Sequence, residues 1–224
     1  MQKTLVKTHI KEIFTSIQGE GIYVGEKQIF VRFCKCNLKC KFCDTDFDIK
    51  NAKTYSTKDL FDILKKNPAK TVSFTGGEPL SEVDFLYELL TKYPLDKKIY
   101  LETNGICHKE LSKVIDFIDT VSMDIKLQST AKQPNRFSDN EKFLEEANKN
   151  NKEIFIKVIF DNNIKNEEIN KVIDIAQKYG TLIVLQPKMP MDENLDIEKI
   201  FDKFYSKYQN VRLIPQVHKF LNLI

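Results

Sequence analysis

Tryptophan is absent from this chain of 224 residues, glycine occurs only seven times, and only three of the 35 basic residues are arginine. Hydrophobic residues at 42% and charged residues at 30% nevertheless make an ordinary globular mix, which excludes a disordered chain. Long apolar runs are missing too: nothing approaches the ~18 residues of a spanning helix, so no membrane association is expected. The start of the chain, Met1 to Lys7, lacks an apolar h-region and a small-residue cleavage site, which predicts an unprocessed, cytoplasmic protein with reduced thiols. Charge of one sign is not in excess either. The balance is 35 − 32 = +3, too small and too scattered to predict a nucleic-acid partner.

What the chain uses sparingly, it concentrates. Arg32, Arg136 and Arg212 stand in a chain that otherwise uses lysine, so a retained arginine marks a place where a planar, bidentate fork is needed. Six of the seven glycines fall in three short stretches: Gly19, Gly21 and Gly25; Gly76 and Gly77; and Gly105. Those are the places where unusual backbone geometry or close approach of a ligand is expected.

Continuous apolar runs and period-2 patterns predict strands at 28–34, 71–74, 98–102, 120–125, 153–160, 181–185 and 211–214. Apolar residues three and four apart predict helices at 56–66, 81–93, 109–118, 140–148, 166–178 and 195–208, with Gly180 as a stop signal after the fifth. Strand and helix alternate throughout. Apolar strands separated by amphipathic helices imply a parallel sheet covered by helices, and six or seven units are too few for an eightfold barrel. The expected fold is therefore an α/β protein with an incomplete, TIM-type parallel β/α barrel, in one domain over residues 1–224, with function in loops after the strand carboxyl ends. The polar stretch 128–139 reads as an active-site loop.

Three of the five cysteines form Cys36-x-x-x-Cys40-x-x-Cys43 just past the first predicted strand. In a reducing compartment, such clustering reads as metal ligation before disulfides. A structural zinc needs four closed ligands, and the nearest spare donors, Cys34, Cys107, His108 and His218, are not at a zinc-site spacing. Three thiolates on one tight loop suit three irons of a cubane [4Fe-4S] cluster, with the fourth iron left open. This loop resembles that of the radical S-adenosylmethionine (SAM) enzymes. The resemblance implies that the amino and carboxylate groups of SAM chelate the open iron, and that reductive cleavage of the sulfonium supplies a 5′-deoxyadenosyl radical.

Other stations resemble one family within that superfamily, the 7-carboxy-7-deazaguanine synthases of queuosine and deazapurine biosynthesis. They are the stretch from Glu12 to Gly21 with its Gln18-Gly19-Glu20-Gly21, Phe30-Val31-Arg32-Phe33, Cys43-Asp44-Thr45, Thr75-Gly76-Gly77-Glu78-Pro79, Glu102-Thr103-Asn104-Gly105, Leu185-Gln186-Pro187 and Pro215-Gln216-Val217-His218-Lys219. The resemblance implies a pterin substrate, 6-carboxy-5,6,7,8-tetrahydropterin, contracted to a deazapurine with loss of ammonia. It assigns SAM binding to Phe42, Cys43, Asp44, Gly77, Asn104, Asp124, Lys126, Gln186 and Pro187, and Mg2+ to Thr45 with the substrate carboxylate. Substrate binding falls to Ile17, Gln18, Gly19, Arg32, Thr75 and His218, with Arg32 as a carboxylate clamp. The mostly apolar tail from Phe220 to Ile224 is expected to pack down, bringing Ile224 over the pterin. A flavodoxin or ferredoxin as electron donor and a homodimer are implied in the same way.

Two rival readings differ in the stations they need. A glycyl-radical activating enzyme shares the cysteine loop but does not need Gln18-Gly19-Glu20-Gly21 or His218. A zinc-stabilised, lysine-rich RNA-binding module would need the cysteines for zinc alone.

Overall fold

A computed structural model describes residues 6–41, 43 and 49–223. Its strands are β1 (Lys7–Ile17), β2 (Lys27–Phe33), β3 (Lys53–Ser56), β4 (Thr71–Gly76), β5 (Lys98–Thr103), β6 (Thr120–Asp124), β7 (Glu153–Phe160), β8 (Leu182–Pro187) and β9 (Val211–Leu213). The α-helices are α1 (Thr57–Lys66), α2 (Val83–Lys92), α3 (His108–Val114), α4 (Gln128–Ala131), α5 (Phe137–Lys149), α6 (Asn166–Tyr179), α7 (Ile197–Tyr205) and α8 (Val217–Phe220). One nine-stranded sheet runs in the order β3-β1-β2-β4-β5-β6-β7-β8-β9. From β2 through β9 every neighbouring pair is parallel, and β1 and β3 add an antiparallel edge. The two ends of the sheet are not paired with each other, so the barrel is incomplete. No described helix is long and apolar enough to cross a membrane.

Local chemistry explains the helix boundaries. Ser56 and Asp59 form a reciprocal capping box at the start of α1, and Gly180 adopts φ +65° to end α6. Along the strands, alternate residues serve two cores. Ile156, Val158 and Phe160 of β7 face the helices, whereas Phe155 joins Tyr100 and Val184 in a small apolar floor inside the barrel.

The structure departs from strict strand–helix alternation at its start. Sequence patterning does not separate out β1, because a bulge between Ile10 and Glu12 shifts its alternation by one residue. Stretch 128–139 is also more ordered than a loop: it holds α4 and the start of α5. It braces the cysteine loop, with Lys41 N–H donating to Ala131 O (3.0 Å) and the Gln133 side chain donating from Nε2 to Lys39 O (2.8 Å). The tail differs as well. Phe220 and Leu221 are more than half exposed, at 54% and 60%, because α8 is one short turn whose following residues run along the surface.

Candidate active site

Two residues beyond the apolar floor, the inward-facing row turns polar. Tyr100 is followed by Glu102 on β5, Ser122 by Asp124 on β6, Phe155 by Lys157 on β7 and Val184 by Gln186 on β8. A strand period of two puts each such pair on one face. The barrel is thus plugged with apolar groups below and lined with charge at its carboxyl end, where a cavity of about 250 Å³ opens. Cys36, Cys40 and Cys43 lie on its wall together with Ile17, Gln18, Gly19, Arg32, Thr75, Gly77, Asn104, Asp124, Lys126 and His218. Gln186 and Pro187 are buried but do not line it, and Phe42, Asp44, Thr45 and Ile224 lie outside the described residues.

The Gly76-Gly77-Glu78 turn fastens the cysteine loop. Gly77 N–H donates to Phe33 O (2.9 Å) and Glu78 N–H to Lys35 O (2.7 Å), so these amides hold the loop rather than await a ligand. Glu78 is fully buried and accepts from Leu80 N (3.1 Å), Thr103 Oγ1 (2.9 Å) and Asn104 N (2.8 Å). Asn104 in turn donates from Nδ2 to Asn37 Oδ1 (2.6 Å) inside the cysteine loop, and Asn37 Nδ2 reaches Cys107 Sγ (3.3 Å). Cys34 is buried outside the cavity, since β2 ends at Phe33 and the row of Phe30 and Arg32 does not continue to it.

Burial pushes Glu78 up to about 7 from 4.5, against the three hydrogen bonds that favour its ionised form. Its contribution to stability is then fully present below pH 4.5 and is lost as pH rises through about 7, a cost of about 3 kcal/mol. Urea midpoints should accordingly fall between pH 5 and pH 8, and Glu78→Gln should flatten that slope. An unchanged slope in the variant would assign the effect to another group.

On the opposite wall, Glu102 accepts from Gln18 Nε2 (2.9 Å) on one oxygen and from Thr75 Oγ1 (2.7 Å) on the other. Arg32 bonds Glu12 through Nε (3.1 Å) and lies over the Phe14 ring at 5.5 Å. Its Nη groups form no hydrogen bond among the described residues. Lys157 pairs with Glu20 and with Asp124 (3.5 Å), and Asp124 also pairs with Lys126 (2.9 Å). Burial would lower Lys157, but Asp124, Glu20 and Glu102 hold it well above the usual lysine range. Sequence reasoning did not single out Lys157, and it quoted Glu102 and Glu20 only within their stations, without a role for either. At Glu102 the signal was local, a polar residue two places after Tyr100 at the carboxyl end of β5, whereas Lys157 lies within β7 and Glu20 lies outside the strands.

The donor set fits an iron–sulfur cluster with a polar cosubstrate. Three thiols converge on one cavity, while no three His, Cys, Asp or Glu among the described residues are close enough to hold a single metal ion. Cubane ligation, one iron per thiolate, needs the wider spacing. On the cavity wall, Asp124 Oδ1 is buried without a hydrogen-bond partner among the described residues, as expected of a group awaiting a polar ligand; both amide atoms of Gln186 are likewise unpartnered but lie behind the lining.

A profile of the radical SAM superfamily matches residues 30–203. A 7-carboxy-7-deazaguanine synthase of Thermoplasma acidophilum is 33% identical, the alignment covering 95% of this chain and 96% of that protein. The same enzyme of Geobacter sulfurreducens is 31% identical over 95% and 96% of the two chains. The chain belongs to the 7-carboxy-7-deazaguanine synthase family of the radical SAM superfamily. Its fold is also that of a crystal structure of QueE from Escherichia coli, with a TM-score of 0.65 and 23% identity over 95% of each chain. Radical SAM membership carries with it a [4Fe-4S] cluster and SAM.

Proposed function

We propose that this 7-carboxy-7-deazaguanine synthase family member is a lyase that contracts 6-carboxy-5,6,7,8-tetrahydropterin to 7-carboxy-7-deazaguanine, releasing ammonia. The observation that carries the reading is that the three cysteines share one cavity with the Gln18–Glu102–Thr75 cluster, Arg32 and His218. When bound, the cluster and SAM supply the adenosyl radical. Cys36, Cys40 and Cys43 would hold the cluster, and Asp124, Lys126 and Gln186 the cosubstrate. Gln18, Glu102 and Thr75 offer acceptors and donors to the edge of a flat heterocycle, with the lysine-compensated Glu102 kept in place by its two partners. The Nη edge of Arg32 faces a substrate carboxylate, and His218 closes the far side. Lys157, buried and charged, fixes Asp124 and Glu20, so neither carboxylate has to reorganise when ligands enter.

Residues 1–224 form one domain in this reading, working in the cytoplasm as a homodimer that binds neither nucleic acid nor membrane. A flavodoxin or ferredoxin would supply the electron, and Thr45 would help hold Mg2+, a hard ion that would bind the substrate carboxylate. The test is anaerobic turnover of the reconstituted protein with SAM, a reductant and the pterin, with and without Mg2+. Formation of 7-carboxy-7-deazaguanine, faster with Mg2+, is expected. No product from the pterin, together with radical formation on a peptide, would favour a glycyl-radical activating enzyme instead.

Arg32→Lys keeps the charge and loses the fork. Substrate binding should weaken by roughly 1.5–3 kcal/mol while SAM affinity stays constant, as read by substrate KM and equilibrium SAM binding. Equal loss of both ligands would make Arg32 structural.

A further inference from the structure

Glu20 follows the Gln18-Gly19 pair and joins three parts of the chain. One carboxylate oxygen pairs with the buried Lys157 of β7, and the other accepts from Gln216 Nε2 at 2.6 Å. The Glu20 backbone N–H donates to Gln18 Oε1 at 3.0 Å, which turns the Gln18 amide so that its Nε2 points at Glu102. Next to it, Gly19 O accepts from Val217 N–H at 2.9 Å. A Cβ at Gly19 would lie 2.3 Å from His218 Nδ1, so the turn and the imidazole are in direct apposition. The helix α8 that carries His218 has a single turn and no buried residue of its own. Its place at the cavity therefore depends on these polar ties rather than on a packed apolar face.

We propose that Glu20 is a positioning residue that clasps the His218-bearing segment to the barrel interior through Gln216 and Lys157, and so forms the substrate-binding half of the cavity. The proposal rests on the functional reading above for the identity of the substrate but not for the clasp itself. The anchor end is rigid, because Lys157 lies inside the sheet with Asp124 as its second partner. The tied end is surface chain. Breaking the clasp frees the tied end and leaves the cysteine loop, which is held by separate bonds to Gly77, Glu78 and Ala131, undisturbed.

Two substitutions at Gln216 test this without burdening Lys157. Gln216→Ala removes the tie, and Gln216→Glu keeps its size but sets carboxylate against carboxylate. Both should raise the pterin KM about tenfold, in line with loss of a charged hydrogen bond, with kcat and SAM affinity changed less than about twofold. In the ligand-free protein, hydrogen exchange at the Val217 amide should speed up by about tenfold or more, with unchanged exchange in β4 and β5. Glu20→Gln should reproduce both effects if it folds. Wild-type Val217 protection in both Gln216 variants would overturn the clasp, whatever the substrate. Lost protection with an unchanged pterin KM would show that the clasp does not serve the substrate half. Parallel loss of SAM affinity would make Glu20 a general fold residue.

Discussion

Replacing Cys36, Cys40 or Cys43 by alanine should reduce iron and sulfide in the reconstituted protein to background and abolish turnover. In the proposed ligation each thiolate would be the sole protein ligand of one iron, so loss of one would open a second coordination position and the cluster would not be retained. The substitute donors are poorly placed. Cys34 is buried outside the cavity, and Cys107 is held by Asn37, with burial, then Glu78 and Glu110, pushing its thiol up to about 12. Cys34→Ala and Cys107→Ala should therefore keep full iron content. Iron analysis with visible absorption decides the matter, and loss of iron in Cys34→Ala would overturn the ligand assignment.

Gly77→Ala is expected to be nearly as damaging, for a reason unrelated to metal affinity. A Cβ at Gly77 would come 2.1 Å from the Lys35 carbonyl oxygen and 3.2 Å from Cys36 N. Both are backbone atoms of the cysteine loop and cannot rotate aside. Either the loop moves, breaking the Gly77–Phe33 and Glu78–Lys35 hydrogen bonds, or the strain stays in the fold. We expect a loss of ~3 kcal/mol in urea unfolding, together with reduced iron incorporation. Gly180→Ala is the control. Its Cβ would meet nothing within 4 Å, so only the φ of +65° penalises it, by about 1–2 kcal/mol, and iron loading should be normal. Equal iron loss in both variants would mean that general destabilisation, not loop displacement, is responsible.

The parallel part of the sheet was legible in the sequence because strands covered on both faces read as continuous apolar runs, and β7 is bounded as its pattern indicates. The antiparallel edge was not. β1 is partly exposed along much of its length and bulged, and β3 has four residues, too few for a period to register. Within the site, the cysteine loop and the glycine turn are local signals and could be read directly. Lys157 could not. Its apolar neighbours mark the strand, while the partners that make a buried lysine tolerable, Glu20 and Asp124, come from distant segments. Asn104 divides the same way: its place at the cavity is local information, whereas the bond from its amide to Asn37 joins distant segments. The tail misled because apolar composition predicts burial only where a surface exists to receive it, and Phe220 and Leu221 find none among the described residues.

The Glu20–Gln216 bond joins residues 196 positions apart. Contacts of such separation carry the largest loop-closure entropy in a folding chain and follow the pairing of neighbouring strands. During synthesis the parallel strands can assemble in the order they leave the ribosome, but the pocket wall around His218 has to wait for the 196 positions that separate Glu20 from Gln216. A partly made chain would then present a formed sheet and cysteine loop without a finished pocket, keeping the radical-generating half separate from a substrate-ready half until Gln216 has emerged.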